Sequence, residues 1–261
     1  VFKGCNNLES FVIPSSVTTF GISPFLGCKN IKSITIEKNS DLKRLPSLPS
    51  GSEITEFTIP NTIEEISNGA FSGLAKLKKV VIEDNSELKA LPSSCFSDCS
   101  SLITVDFGKN SKIKTIKSGA FRNCSKLTAI DIPESVTLIE NSAFYNCTSL
   151  ESFVMPDSVT SIKDGIFSGC TSLKSVTLSE NLTRLEYGMF ENCPITELIV
   201  PEKVGFVGNA FTGNTTLQKV TIKKAEIDFG ELALDYVPDS ITAIYVQENL
   251  VEAFKSQYPA H

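Results

Sequence analysis

The chain of 261 residues has no tryptophan, two methionines and a single histidine, His261, at its very end. Without another imidazole, neither a Ser/His/Asp nor a Cys/His constellation can be assembled. No glycine-rich phosphate loop is present. There is also no CxxC pair, so the eight cysteines do not read as a zinc site. No apolar run approaches the ~20 residues that a membrane-crossing helix needs. Positive charge is in deficit: 24 Lys and Arg against 30 Asp and Glu give a net charge of −6. That balance, with a pI near 5.0, argues against nucleic acid or an anionic membrane as the main partner. An enzyme is left without its usual parts, and no catalytic residue, cofactor or metal ligand is assigned.

What the chain has instead is a period. The same pattern recurs from Leu8 at Ile31, Ile54, Leu77, Leu102, Leu127, Leu150, Leu173, Ile195, Leu217 and Ile241, at intervals of 22 to 25 residues. A fixed period of this length means a solenoid, in which each repeat packs on its neighbours. About ten repeats are expected over one domain of residues 1–261, with 1–7 a partial repeat and 242–261 a C-terminal cap. At ~4.8 Å per coil the rod is roughly 50 Å long.

One repeat, LTAIDIPESVTLIENSAFYNCTSL from Leu127 to Leu150, shows the logic. Around Ile130 and Ile132, apolar and polar residues alternate as in a half-buried strand. Pro133 stops that strand from continuing as a ladder. Val136 and Ile139 mark a second short extended stretch. Asn141–Asn146 then reads as one turn of helix. Three residues before the Phe stand Asn68, Ser93, Ser118, Asn141 and Asp164, all N-cap types. Two residues after it stand Gly4, Gly27, Gly73, Asp98, Asn123, Asn146, Gly169, Asn192 and Gly213. These residue types tolerate positive φ, so each turn is expected to end on a left-handed residue.

The Phe itself recurs as Phe2, Phe25, Phe71, Phe96, Phe121, Phe144, Phe167, Phe190 and Phe211, with Leu48 in the slot once. It reads as a core spine. Seven of the eight cysteines fall three residues later: Cys5, Cys28, Cys99, Cys124, Cys147, Cys170 and Cys193. Neighbours in such a ladder lie within disulfide range, but their Cβ vectors run parallel instead of converging. A ladder of small, buried, reduced thiols is expected.

Three irregularities stand out. Leu45–Ser52 carries two prolines and lacks the Ala-Phe pair, so that coil should be irregular on its turn side. Asn85-Ser86 and Asn110-Ser111 are inserts in the 25-residue repeats, Asn39-Ser40 resembles them, and all three should bulge as turns. Sequons at Asn123, Asn146, Asn181 and Asn214 are a by-product of the repeat or incidental. At the C-terminus, Ile244-Tyr245-Val246 is expected to be a last strand, and Asn249–Tyr258 a capping helix with Asn249 as N-cap. The opening Val1-Phe2-Lys3-Gly4-Cys5 falls in mid-repeat, from which an upstream segment is expected.

The blocks IDIPESVTLIENSAFYNCTSL, FVMPDSVTSIKDGIFSGCTSL and FTIPNTIEEISNGAFSGLAKL resemble leucine-rich repeats of the BspA-like class. The pattern covers nearly the whole chain. The fold class that follows is an α/β-type solenoid, a curved right-handed coil. It has a parallel sheet on its concave face, short strands and helical turns on its convex side, and a closing strand and helix. The resemblance implies a secreted or surface-anchored protein that adheres to host matrix proteins, host cells or other microbes. It supplies no catalytic residues.

On such a sheet, the outward residue of each strand gives a strip: Val12, Thr35, Thr58, Val81, Asp106, Asp131, Val154, Thr177, Ile199, Thr221 and Tyr245. Mildly apolar and β-branched, it reads either as strand propensity on a solvated sheet or as a protein-binding surface. Asp106 and Asp131 fall on neighbouring coils, yet two carboxylates alone make a poor Ca²⁺ site and no metal is expected. Adhesion through the strip competes with two other readings, a structural spacer that displays another domain and an intracellular scaffold. No nucleic acid or membrane insertion is expected. A monomer is, although the first coil could pair with another chain.

Overall fold

A computed structural model describes residues 2–224, 228–229, 243–246 and 251. The repeats form a parallel β-solenoid whose coils present three faces. The first carries the longer strands: Ser10–Ile13, Ser33–Ile36, Glu56–Ile59, Lys79–Ile82, Thr104–Asp106, Ser152–Val154, Ser175–Thr177, Glu197–Val200, Lys219–Ile222 and Ala243–Val246. The second carries two-residue strands such as Thr115–Ile116, Leu138–Ile139 and Ser161–Ile162, which pair in parallel. These are the second extended stretch read from Val136 and Ile139. The third face consists of turns.

Register follows the period. Residue pairs one repeat apart face each other, as Val12 faces Thr35 and Val81 faces Asp106. Alternate strand residues point inward, and Phe57, Ile59, Val80 and Ile82 are buried while Glu56 and Thr58 are exposed. The long-strand sheet is interrupted at three places among the described residues: Ser33–Ile36 does not pair with Glu56–Ile59, Ser175–Thr177 does not pair with Glu197–Val200, and the third gap lies at 129–132. Residues 129–132 keep the alternating burial of a strand but join neither neighbouring ladder; nothing in their sequence sets them apart.

The spine forms as expected. Phe71, Phe96, Phe121, Phe144 and Phe167 are fully buried, and successive rings stack with centroids 5.0–5.8 Å apart. Phe153 packs edge-on against Phe144 and Phe167, at 5.3 and 4.7 Å. Leu48 fills the slot where the spine lacks a Phe and is 5% exposed.

The turn face corrects the helical expectation. Among the described residues, no coil has a helical turn there. All nine residues two places after the Phe do have positive φ, from 57° at Asn146 to 81° at Gly27. A second left-handed residue, two places before the Phe, was not anticipated: Ser23, Gly69, Ser94, Gly119, Ser142, Gly165 and Gly188. A left-handed residue in the middle of the segment ends any helix before it starts. The backbone instead chains β-turns. Ala70, Ser72 and Leu74 donate to carbonyls three residues back, at 3.1, 2.9 and 3.2 Å. The alternate amides of Gly69, Phe71 and Gly73 donate across to Ser93, Cys95 and Ser97 of the next coil, at 2.9, 2.9 and 2.8 Å. Asn68, Ser93, Ser118, Asn141 and Asp164 are therefore not N-caps; the carbonyls of the last four accept inter-coil bonds. The expected C-terminal helix at 249–258 lies, apart from Val251, outside the described residues.

The thiol ladder also forms, and all eight cysteines are free. Each ladder thiol but Cys5, which is exposed, donates to the carbonyl of the spine Phe one coil back. Cys99 bonds Phe71 O at 3.0 Å, Cys124 bonds Phe96 O at 3.2 Å, and Cys170 bonds Phe144 O at 3.1 Å. Cysteine suits the slot because it is small, apolar enough to bury, and still a weak donor. The Asn inserts turn as expected, with φ of 56° at Asn39, 60° at Asn85 and 56° at Asn110.

Candidate interaction surface

Pleating alone places the strip. With Val80, Val105, Phe153 and Leu198 buried, the residue after each must point outward. Val12, Thr35, Thr58, Asp106, Asp131, Val154, Thr177, Ile199 and Tyr245 are exposed, and Val81 and Thr221 are half-buried. Parallel register aligns Thr58 with Val81 and Asp106, Val154 with Thr177, and Ile199 with Thr221 and Tyr245.

The strip divides by chemistry. Its C-terminal half, from Val154 through Thr177, Ile199 and Thr221 to Tyr245, carries no charge on the outward row. Val154 is 65% exposed, Ile199 55% and Tyr245 52%, high values for large apolar groups. One row back, Glu197 faces Lys219, whose ammonium lies 4.9 Å from the Tyr245 ring centroid. The two opposite charges leave this flank with no net charge, and the same flank continues through the small polar residues Ser152 and Ser175.

The middle of the strip is acidic. One carboxylate oxygen of Asp106 accepts the Gly108 amide at 2.9 Å. Asp131 lies in the interrupted segment and borders a shallow hollow of about 190 Å³, together with Glu134, Ser152 and Val154. Asp106 and Asp131 are both exposed, but the ladder that would have set them directly opposite is not formed at 129–132. Among the described residues, no group of three or more His, Cys, Asp or Glu could hold a metal ion. No helix among them is long and apolar enough to cross a membrane.

Two exposed groups near the sheet and on the short-strand face were not read from the sequence. Ile103, 50% exposed, precedes its strand on the sheet side. On the short-strand face the Arg184 guanidinium lies 3.8 Å over the Phe206 ring, and Tyr187, 48% exposed, meets the same ring edge-on at 6.0 Å. The signal for the second was the departure Gly205-Phe206 where other repeats read Ser-Val-Thr.

A family model for BspA-type leucine-rich repeat regions matches the chain in six copies, over residues 1–47, 50–155 and 137–258. Among solved structures, a leucine-rich repeat protein of T. pallidum is 30% identical. The match covers 67% of this chain and 76% of that one, with a TM-score of 0.52. The pneumococcal vaccine antigen PcpA is 20% identical over 96% of this chain and 65% of its own, with a TM-score of 0.54. A leucine-rich cell surface protein of Faecalibacterium prausnitzii is 22% identical over 95% of this chain and 82% of its own, with a TM-score of 0.45. No curated protein matches the chain.

Proposed function

The chain belongs to the BspA-type leucine-rich repeat family, and from that premise we propose that it is a non-catalytic protein-interaction module working through its long-strand face. The observation that carries the proposal is the uncharged row Val154, Thr177, Ile199, Thr221 and Tyr245 across consecutive coils. A solvated sheet with no partner has no need of three large apolar groups, each more than half exposed, along one row. Tyr and branched aliphatic side chains over a neutralised flank are what a protein interface places at its centre.

The family resemblance favours adhesion to a host or microbial surface protein, and with it a secreted or surface-attached chain. The uncharged row favours this over a spacer, which has no use for exposed apolar groups. A screen of the purified chain against extracellular matrix proteins and secreted glycoproteins tests the reading, with a variant charge-altered at Val81, Asp106, Val154, Ile199 and Tyr245 alongside. Binding by the native chain and a loss of at least tenfold in the variant are expected. Binding that survives the variant would move the site off this face. No binding to any component would favour the spacer.

A further inference from the structure

The turn face departs from its regular length at two coils: three residues, 208–210, separate Val207 from Phe211, and one coil nearer the N-terminus is two residues short. Four residues, 140–143, separate the buried Ile139 from the spine residue Phe144, whereas only Pro46 and Ser47 separate their counterparts Leu45 and Leu48. The counterpart assignment is fixed by two contacts: Leu45 pairs with Ile66, and the Leu48 amide donates to Ala70 O at 2.7 Å, as a spine amide does. What the short coil lacks is the left-handed turn before the spine.

The regular coils show what that turn does. In one of them the Ser93–Ser94 peptide group bridges both neighbours. Its carbonyl accepts the Gly69 amide at 2.9 Å, and its N–H donates to Ser118 O at 2.9 Å. The Asn141–Ser142 peptide does the same between Gly119 and Asp164, at 3.0 and 2.9 Å. A single trans peptide group, with C=O and N–H pointing opposite ways, thus ties three coils together. In the short coil this group is missing, but the partners it would have had remain. Ser23 N–H on one wall and Asn68 C=O on the other have no hydrogen-bond partner among the described residues. Ser23 keeps the left-handed φ of its counterparts, at 47°.

The missing turn leaves a notch of about 510 Å³, bounded by Phe20–Ser23 on one wall, Ser67 and Asn68 on the other, and Pro46–Ser47 as its floor. Walls two coils apart are separated by ~10 Å. Ile22 on the lip is wholly exposed and Phe20 is half-buried.

We propose that this notch binds a trans secondary amide, and that its occupant is an extended peptide segment of a partner protein that replaces the missing turn. The donor on one wall and the acceptor on the other are the groups that the two ends of one peptide group engage in the regular coils. Ile22 and Phe20 offer apolar contact to the side chain beside that amide, which favours a peptide over the acetamido group of a sugar. The site lies on the turn face and stands independently of the sheet-face reading.

The test is a titration of the ¹⁵N-labelled chain, followed by NMR. The probes are the capped peptide acetyl-Val-Val-N-methylamide and, separately, N-acetylglucosamine. The peptide should move the Ser23 amide proton downfield in a saturable way, along with Ile22 and Asn68. Inserting Asn-Ser between Pro46 and Ser47 supplies the missing turn and should weaken this binding at least tenfold. Should that variant not fold, Ser47→Tyr, which blocks the floor, should do the same. The proposal is overturned if the peptide leaves Ser23 unmoved, if the shift persists undiminished in a folded variant, or if only the sugar moves it.

Discussion

The protein is expected to hold its fold up to about pH 8 and to lose it steeply above pH 9, with the thiol ladder as the cause. A cysteine in the unfolded chain titrates near 9.0, but burial pushes Cys99, Cys147 and Cys193 up to about 12. Burial, aided by neighbouring thiols, drives Cys95, Cys124 and Cys170 upward as well. Between these values the unfolded chain releases protons that the fold must keep, so stability falls as pH rises through that window. Each thiol removes about 1.4 kcal/mol per pH unit there. Six acting together would cancel the ~5–15 kcal/mol stability of an ordinary domain within about two pH units. Circular dichroism and thiolate absorbance near 240 nm, recorded on one pH series, should change together. Thiolate absorbance that climbs gradually while the fold persists would show that the thiols are not sealed. At pH 8 a thiol-specific reagent should label Cys5, the one exposed cysteine, and leave the other seven until the chain unfolds.

The second large effect is expected from Phe121→Ala. The Phe121 ring is fully buried between Phe96 at 5.3 Å and Phe144 at 5.1 Å, the latter almost parallel at 2°. Truncation leaves a cavity in the middle of the spine, where neither flanking coil can collapse without breaking its inter-coil bonds. A loss of about 3–5 kcal/mol is expected, read as a lower midpoint in urea. Because repeats couple only to their neighbours, Phe211→Ala should cost less: Phe211 is 8% exposed and stacks on Phe190 at 5.9 Å. A loss below about 1 kcal/mol at Phe121 would mean that the stacked rings are not the main support of the core.

Much of this architecture is legible in the sequence because the repeat reports each position many times. The spine, the thiol ladder, the left-handed residue after the Phe and the Asn-Ser turns each recur often enough to be read by slot. The left-handed residue before the Phe was as well marked, with Gly69, Gly119, Gly165 and Gly188 in its slot. It was masked by Ser23, Ser94 and Ser142, which pay steric strain there and look like helix-cap neighbours. That one slot decides between a helical turn and chained β-turns. The outward strip follows from pleating once the inward positions are known. The breaks in the long-strand sheet and the notch at 46–47 do not, since both depend on hydrogen bonds between coils. Counting residues between Leu45 and Leu48 flags the second as irregular, but only the regular coils reveal which peptide group is absent.

The central claim is that the uncharged row of the long-strand face is where a protein partner binds. Its most direct test is the affinity of a partner recovered by screening for two variants measured in parallel. One carries Val154→Glu and Ile199→Glu; the other carries Arg122→Glu on the turn face, where Arg122 lies 4.6 Å over the Tyr145 ring. The account predicts at least a hundredfold loss for the first variant and less than a threefold change for the second. Equal losses, or a loss confined to the turn-face variant, would contradict it.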